Sequence, residues 1–354
     1  MNILIIGSGA IGLSTAFELA LAGHSVRVVT RNYEEGTSWV AGGMLAPFSE
    51  GLTGDLLSFS VESLNLYPDF ISRLEDVARM KIYFSRNGIL RITMDEEEHR
   101  EVGRLAREYA RGGVGVEEID SQELRKRKPF LSGEPFGAFL FKEEGNVDAE
   151  KLMDALLLGC ENLGVKIHID EITEIEKKNG RVESIKGYRD TYRADFYVFT
   201  TGAWSKSLLK LPVFPVKGQI LKVKGIELER VLYSKIAYII PKENYLLIGA
   251  TSEDAGFDSR ATLGGVRTLT EGALRLLPSL GDIEFLGVKV GFRPGTPDEA
   301  PIFEAGENYF ICVGHYRNGI LWTPVSAHTI LSYVEKGELS PYVKKFSAQR
   351  FLVG

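Results

Sequence analysis

The chain has 354 residues, of which 44% are hydrophobic and 25% charged, so it is globular and long enough for a large core and roughly two domains. A formal net charge of −6 excludes a general affinity for nucleic acid. Two cysteines, Cys160 and Cys312, give neither a disulfide framework nor a CxxC motif, which fits a cytoplasmic location, and five histidines without metal-ligand spacing predict no metal site.

The first apolar run, residues 2–6, reads as a strand. It enters Gly7-Ser8-Gly9-Ala10-Ile11-Gly12 and a helical pattern ending near Gly23, and residues 25–29 return as the next strand. That is a dinucleotide turn: Gly7 permits the tight bend, Gly9 lets backbone approach a pyrophosphate, and Gly12 packs helix against strand. Glu18 and the lack of a basic leader argue against a signal peptide, and no other segment is apolar and long enough to predict a membrane span.

Residues 37–47 are rich in small and turn-forming side chains, which suits a backbone running close to a flat ligand. A helix is expected over about 55–78, short strands near 81–84 and 88–93, and a helix around 96–111 whose first turn is acidic. The basic run Arg125-Lys126-Arg127-Lys128 before Pro129 reads as a solvated helix end. A strong helix follows over 148–164, and the strands 166–169, 171–176, 182–185 and 196–200 are expected to complete the nucleotide-binding sheet. From 214 to about 292 the pattern is strand-rich, with one helix at 265–277. Finally an apolar strand, 309–313, meets a glycine turn, Gly314 to Leu321, that opens a helix running to near Tyr333.

A carboxylate normally ends the second strand and holds the adenosine ribose. Here Thr30 and Arg31 stand instead, and an arginine could meet the 2′-phosphate of a nicotinamide cofactor. The C-terminal turn favours a flavin, because a helix N-terminus stabilises negative charge gathered at one edge of the ring. The expected fold is therefore α/β, α+β overall. A Rossmann-like FAD-binding domain is assembled from 1–80, 145–205 and 290–354, and a mostly antiparallel substrate sheet from 81–144 and 206–289.

Five segments, residues 41–45, 201–205, 215–219, 293–296 and 315–321, resemble in sequence and order the D-amino-acid oxidase family of FAD-dependent amine oxidases, in particular its branch that oxidises glycine for thiamine thiazole synthesis. The resemblance covers the whole chain and implies non-covalent FAD. Besides Gly7, Gly9 and Gly12, it places Ala10, Ile11, Thr30, Arg31, Thr37, Ser38, Gly42, Gly43, Met44 and Ile172 along the cofactor, and His315, Tyr316, Arg317, Asn318, Gly319, Ile320 and Leu321 around the flavin ring.

Arg293 is the expected carboxylate clamp, because its planar fork binds both oxygens at once. The family adds Tyr238 and Arg317 as further substrate contacts. The implied reaction is hydride transfer from the α-carbon of a small amino acid to flavin N5. Dioxygen is then the electron acceptor, yielding hydrogen peroxide, and the imine hydrolyses to a 2-oxo acid and ammonia or passes to a thiazole synthase partner. A D-amino acid, sarcosine or proline oxidase or dehydrogenase is the nearest alternative, a non-catalytic flavin subunit a remote one, and homo-oligomer formation is left open.

Overall fold

The computed structural model describes residues 1–33, 36–128, 131 and 135–351; Pro129 lies outside them. Asn2–Ile6, buried from Ile3 onward, lies inside a six-stranded sheet. Ser25–Thr30 and then Lys166–Ile169 extend it in parallel on one side, Phe196–Phe199 and Tyr309–Val313 on the other, and Ile302–Gly306 closes that edge antiparallel. The helices Ala10–Leu21, Gly54–Ala78, Ala149–Asn162 and Thr323–Lys336 cover one face through a core that includes Leu13, Phe17, Phe70, Leu152 and Trp322.

Two expected strands leave this sheet. Ile172–Lys178 and Arg181–Gly187 pair antiparallel and, with Thr191–Tyr192, form a separate three-stranded sheet whose Val182, Ile185 and Tyr192 pack under Leu4, Ile6 and Tyr197. The reason is chemical. Ile172 and Ile175 are the only apolar residues of the first strand and a bulge separates them, which leaves too little apolar surface for an interior parallel strand, apolar on both faces. Asn179 and Gly180, both at positive φ, make the tight connection such a hairpin requires.

The second large sheet has eight strands, in the order Phe285–Gly295, Phe214–Lys224, Tyr245–Gly249, Tyr238–Pro241, Val231–Tyr233, Ile89–Thr93, Gly137–Phe141 and Val116–Asp120. Every pairing is antiparallel except Val231–Tyr233 with Ile89–Thr93. Phe285–Gly295 belongs wholly to this sheet, so the last crossing between the two sheets lies beyond residue 290. The C-terminal helix also begins later than expected. A 3-10 turn, Tyr316–Asn318, intervenes, and the α-helix starts at Thr323, where Pro324 loses nothing because first-turn N–H groups have no helical partner. Among the described residues, no helix is long and apolar enough to cross a membrane.

Candidate active site

One cleft runs between the two sheets, from Asp170, Glu171 and Ile172 at one end to Tyr238, Arg293 and Arg317 at the other. Its length is set by the sequence-distant turns that meet there.

The first turn is shaped by missing side chains. Gly7 has φ +111°, and a Cβ on it would stand 2.4 Å from the Thr200 carbonyl oxygen. A Cβ on Gly12 would stand 1.9 Å from the Gly7 carbonyl oxygen, so this glycine serves packing and lies behind the cleft rather than in its wall. Helix Ala10–Leu21 begins at Gly9 with no capping side-chain bond from that residue; the Ala10 N–H donates to Ser38 Oγ at 2.9 Å. A helix start open to the cleft and a wall kept free of Cβ atoms fit a pyrophosphate.

Gly9, Ala10, Ile11, Thr30, Arg31, Thr37, Ser38, Gly42, Gly43, Met44 and Ile172 all line the cleft. Thr30 Oγ1 accepts a hydrogen bond from Ser8 Oγ at 2.9 Å, and the Arg31 guanidinium lies over the Trp204 ring. Two carboxylates reach this end. That of Asp170 accepts from Arg189 N, Asp190 N and the Tyr192 hydroxyl, and Glu171 is exposed. Farther along, the buried Lys242 ammonium donates to the carbonyl oxygens of Gly42, at 2.8 Å, and Val147, at 2.7 Å, fixing the Gly42–Gly43 backbone; burial pushes its pKa down to about 7, against Asp148 and Glu150.

Around the C-terminal turn, His315, Tyr316, Arg317, Asn318, Gly319 and Ile320 touch the cleft, but Leu321 does not; it is 1% exposed and belongs to the helical core. An apolar side chain at the helix entry gains more from that core than from the cleft. The His315 ring is buried between Cys312 Sγ and Ser326 Oγ, and burial lowers its pKa to about 3, so it is a neutral brace for the turn. Arg317 is half exposed at the mouth and faces Glu299 at 3.5 Å.

The far end of the cleft is built on strand register. Arg293 and Tyr238 sit on strands separated by two others, which carry Gly218 and Gly249. A Cβ on Gly218 would meet Arg293 Nη1 at 2.5 Å and Cζ at 2.7 Å; a Cβ on Gly249 would meet the Tyr238 ring at 2.3 Å. Both side chains therefore lie flat over glycines and face each other. The guanidinium is held by the Thr251 carbonyl oxygen at 3.0 Å, and burial raises the Tyr238 pKa while Arg293 draws it down. Sequence reasoning missed Gly218, Gly249 and Glu50, a partly buried carboxyl lining the same end. Glycine inside a strand was the available signal for the first two.

The family model of FAD dependent oxidoreductases matches residues 2–332, so the chain belongs to that family, whose cofactor is FAD. It is 34% identical to the bifunctional protein ThiO/ThiG of a Synechocystis strain over 99% of its length, spanning 54% of that protein. The chain thus spans about half the length of the ThiO/ThiG relatives it matches. It is 31% identical to the glycine oxidase of Geobacillus kaustophilus, covering 99% of this chain and 97% of the relative. The crystal structure of glycine oxidase from that organism superposes with a TM-score of 0.93, at 30% identity and 98% coverage of both chains.

Proposed function

We propose that the chain oxidises glycine or a similarly small amino acid at its α-carbon. The observation that carries this reading is the Arg293 fork opposite the Tyr238 hydroxyl, at one end of a cleft long enough for a dinucleotide. FAD held along the Gly7–Ile11 and Gly42–Met44 turns would supply the hydride acceptor, its reoxidation by dioxygen giving hydrogen peroxide. The chain's own part is positional. Arg293 takes both carboxylate oxygens, Tyr238 adds a hydroxyl donor, and the seat under them fixes the direction of the Cα–H bond, which is where such a site lowers the barrier. The cleft walls keep bulk water from the reacting carbon until the imine forms. Water then yields a 2-oxo acid and ammonia.

The wide glycine floor and the likeness to glycine oxidases support a small substrate, and the ThiO/ThiG relatives support delivery of the imine to a thiazole synthase. Anaerobic bleaching of the FAD-loaded protein by glycine, sarcosine, D-alanine and D-proline tests the reading. Glycine is expected to bleach at the lowest concentration. A flavin that no amine bleaches overturns the proposal, and preference for another member of the set moves it to that amine.

A further inference from the structure

Glu50 stands in the substrate end of the cleft with no function assigned by the clamp just described. It closes a tight turn, in which Glu50 N donates to the Ala46 carbonyl oxygen at 3.3 Å and Gly51 N to that of Phe48 at 2.9 Å. The turn is pinned from behind, because the N–H groups of Phe48 and Ser49 both donate to Oε1 of the fully buried Glu144. The Glu50 side chain is thus delivered to the cleft on a rigid support.

Among the described residues its carboxyl makes no hydrogen bond and no ion pair. Its surroundings are nevertheless charged. Burial raises its pKa, and Arg317, Arg293 and Arg91, from three separate parts of the fold, oppose that rise, with the Tyr233 and Tyr238 hydroxyls and Glu299 also in its field. Arg91 is already engaged by Glu98 at 2.9 Å and by the Tyr233 ring. A carboxylate left without a donor in a partly sheltered site is costly, and a cationic group arriving with the ligand would offset that cost.

We propose that Glu50 is the amine anchor, receiving the ammonium group of a zwitterionic substrate whose carboxylate lies on Arg293. The assignment rests on the amino-acid reading above and adds to it a basis for rejecting acids that lack nitrogen. An amino acid presents opposite charges one carbon apart, and Arg293 and Glu50, both lining this cleft, present the complementary pair from different elements. A hydroxy acid or a simple carboxylate satisfies the guanidinium alone and meets the Glu50 charge without compensation.

The test compares glycine with acetate, which keeps the carboxylate and lacks the amine, on FAD-loaded wild type, Glu50→Gln and Glu50→Asp. Glycine half-saturation comes from anaerobic bleaching, and acetate binding from its perturbation of flavin absorbance. Glu50→Gln is expected to raise glycine half-saturation about 10- to 100-fold, the range for losing a hydrogen bond to a charged group, while acetate binds as well or better. Glu50→Asp, which keeps the charge, recovers part of the glycine affinity.

Acetate binding also shows that each variant is folded. If Glu50→Gln gives no FAD-loaded protein, Glu50→Asp carries the comparison, with glycine weakened severalfold and acetate unchanged. Equal shifts for glycine and acetate, or unchanged glycine affinity, overturn the assignment while leaving the functional reading intact. Wild-type protein that no amine bleaches removes that reading and this anchor with it.

Discussion

Replacing Gly218 by alanine isolates the seat of the clamp from the clamp itself. The new Cβ would stand 2.5 Å from Nη1 and 2.7 Å from both Cζ and Nη2 of Arg293. Unstrained carbon contacts lie near 3.5–4.0 Å, so the guanidinium must retreat by about 1 Å. The move loosens its bond to the Thr251 carbonyl oxygen and tilts the fork away from Tyr238. Displacement of this size at a positioning group costs on the order of 10²-fold in rate, or about 2.7 kcal/mol of transition-state stabilisation.

Gly218 is outside the left-handed φ range, so alanine adds no backbone strain, and folding and FAD content should be preserved. Peroxide release with glycine gives kcat/KM, and the double variant Gly218→Ala/Arg293→Ala should be no worse than Arg293→Ala alone, because both act through one group. Wild-type kcat/KM in Gly218→Ala, or losses that multiply in the double variant, would refute the idea that the glycine works by seating the arginine.

Arg293→Ala itself should raise glycine half-saturation by roughly two to four orders of magnitude, since breaking a buried charge pair costs about 3–5 kcal/mol, with FAD retained; glycine titration of the loaded variant checks it. Lys242→Met releases the Gly42 and Val147 carbonyl oxygens and should destabilise the protein by about 1–3 kcal/mol, at about 0.5–1.5 kcal/mol per bond, measured by denaturant midpoint and by FAD lost on dilution. Burial pushes the Glu144 pKa up to about 8 against its bonds from Ser49 and Phe48, so the carboxyl favours folding at low pH and that contribution is lost as pH rises through 8. Glu144→Gln keeps an acceptor for both N–H groups without the charge. Its melting temperature relative to wild type should therefore climb between pH 5 and pH 9, each unit of pKa displacement being worth about 1.4 kcal/mol, and a flat difference would reject the account.

What the sequence made legible follows from locality. The turn at residues 7–12 announces itself because strand, glycines and helix are contiguous, and each glycine has a local reason: the φ of Gly7 and the approach of Gly12 to the Gly7 carbonyl oxygen. Ile172–Lys178 and Arg181–Gly187 were legible as strands, but not as a sheet apart, because alternation sets which face is apolar and leaves open which layer that face covers. Leu321 followed the neighbours that do touch the cleft until the core claimed it.

Glu50 carried no pattern at all, being one acid after the buried run Leu45 to Ser49, and only the convergence of three arginines from distant elements gives its position meaning. The two strand glycines show most plainly why a site exceeds its list of functional residues. Tyr238 pairs directly with Gly249 across the sheet, and Arg293 lies two residues along its strand from Gly291, the register partner of Gly218. Each of these two side chains thus owes its direction to a residue on another strand that contributes nothing but room. A substitution that keeps Arg293 and Tyr238 and fills either space would preserve the motifs and lose the geometry.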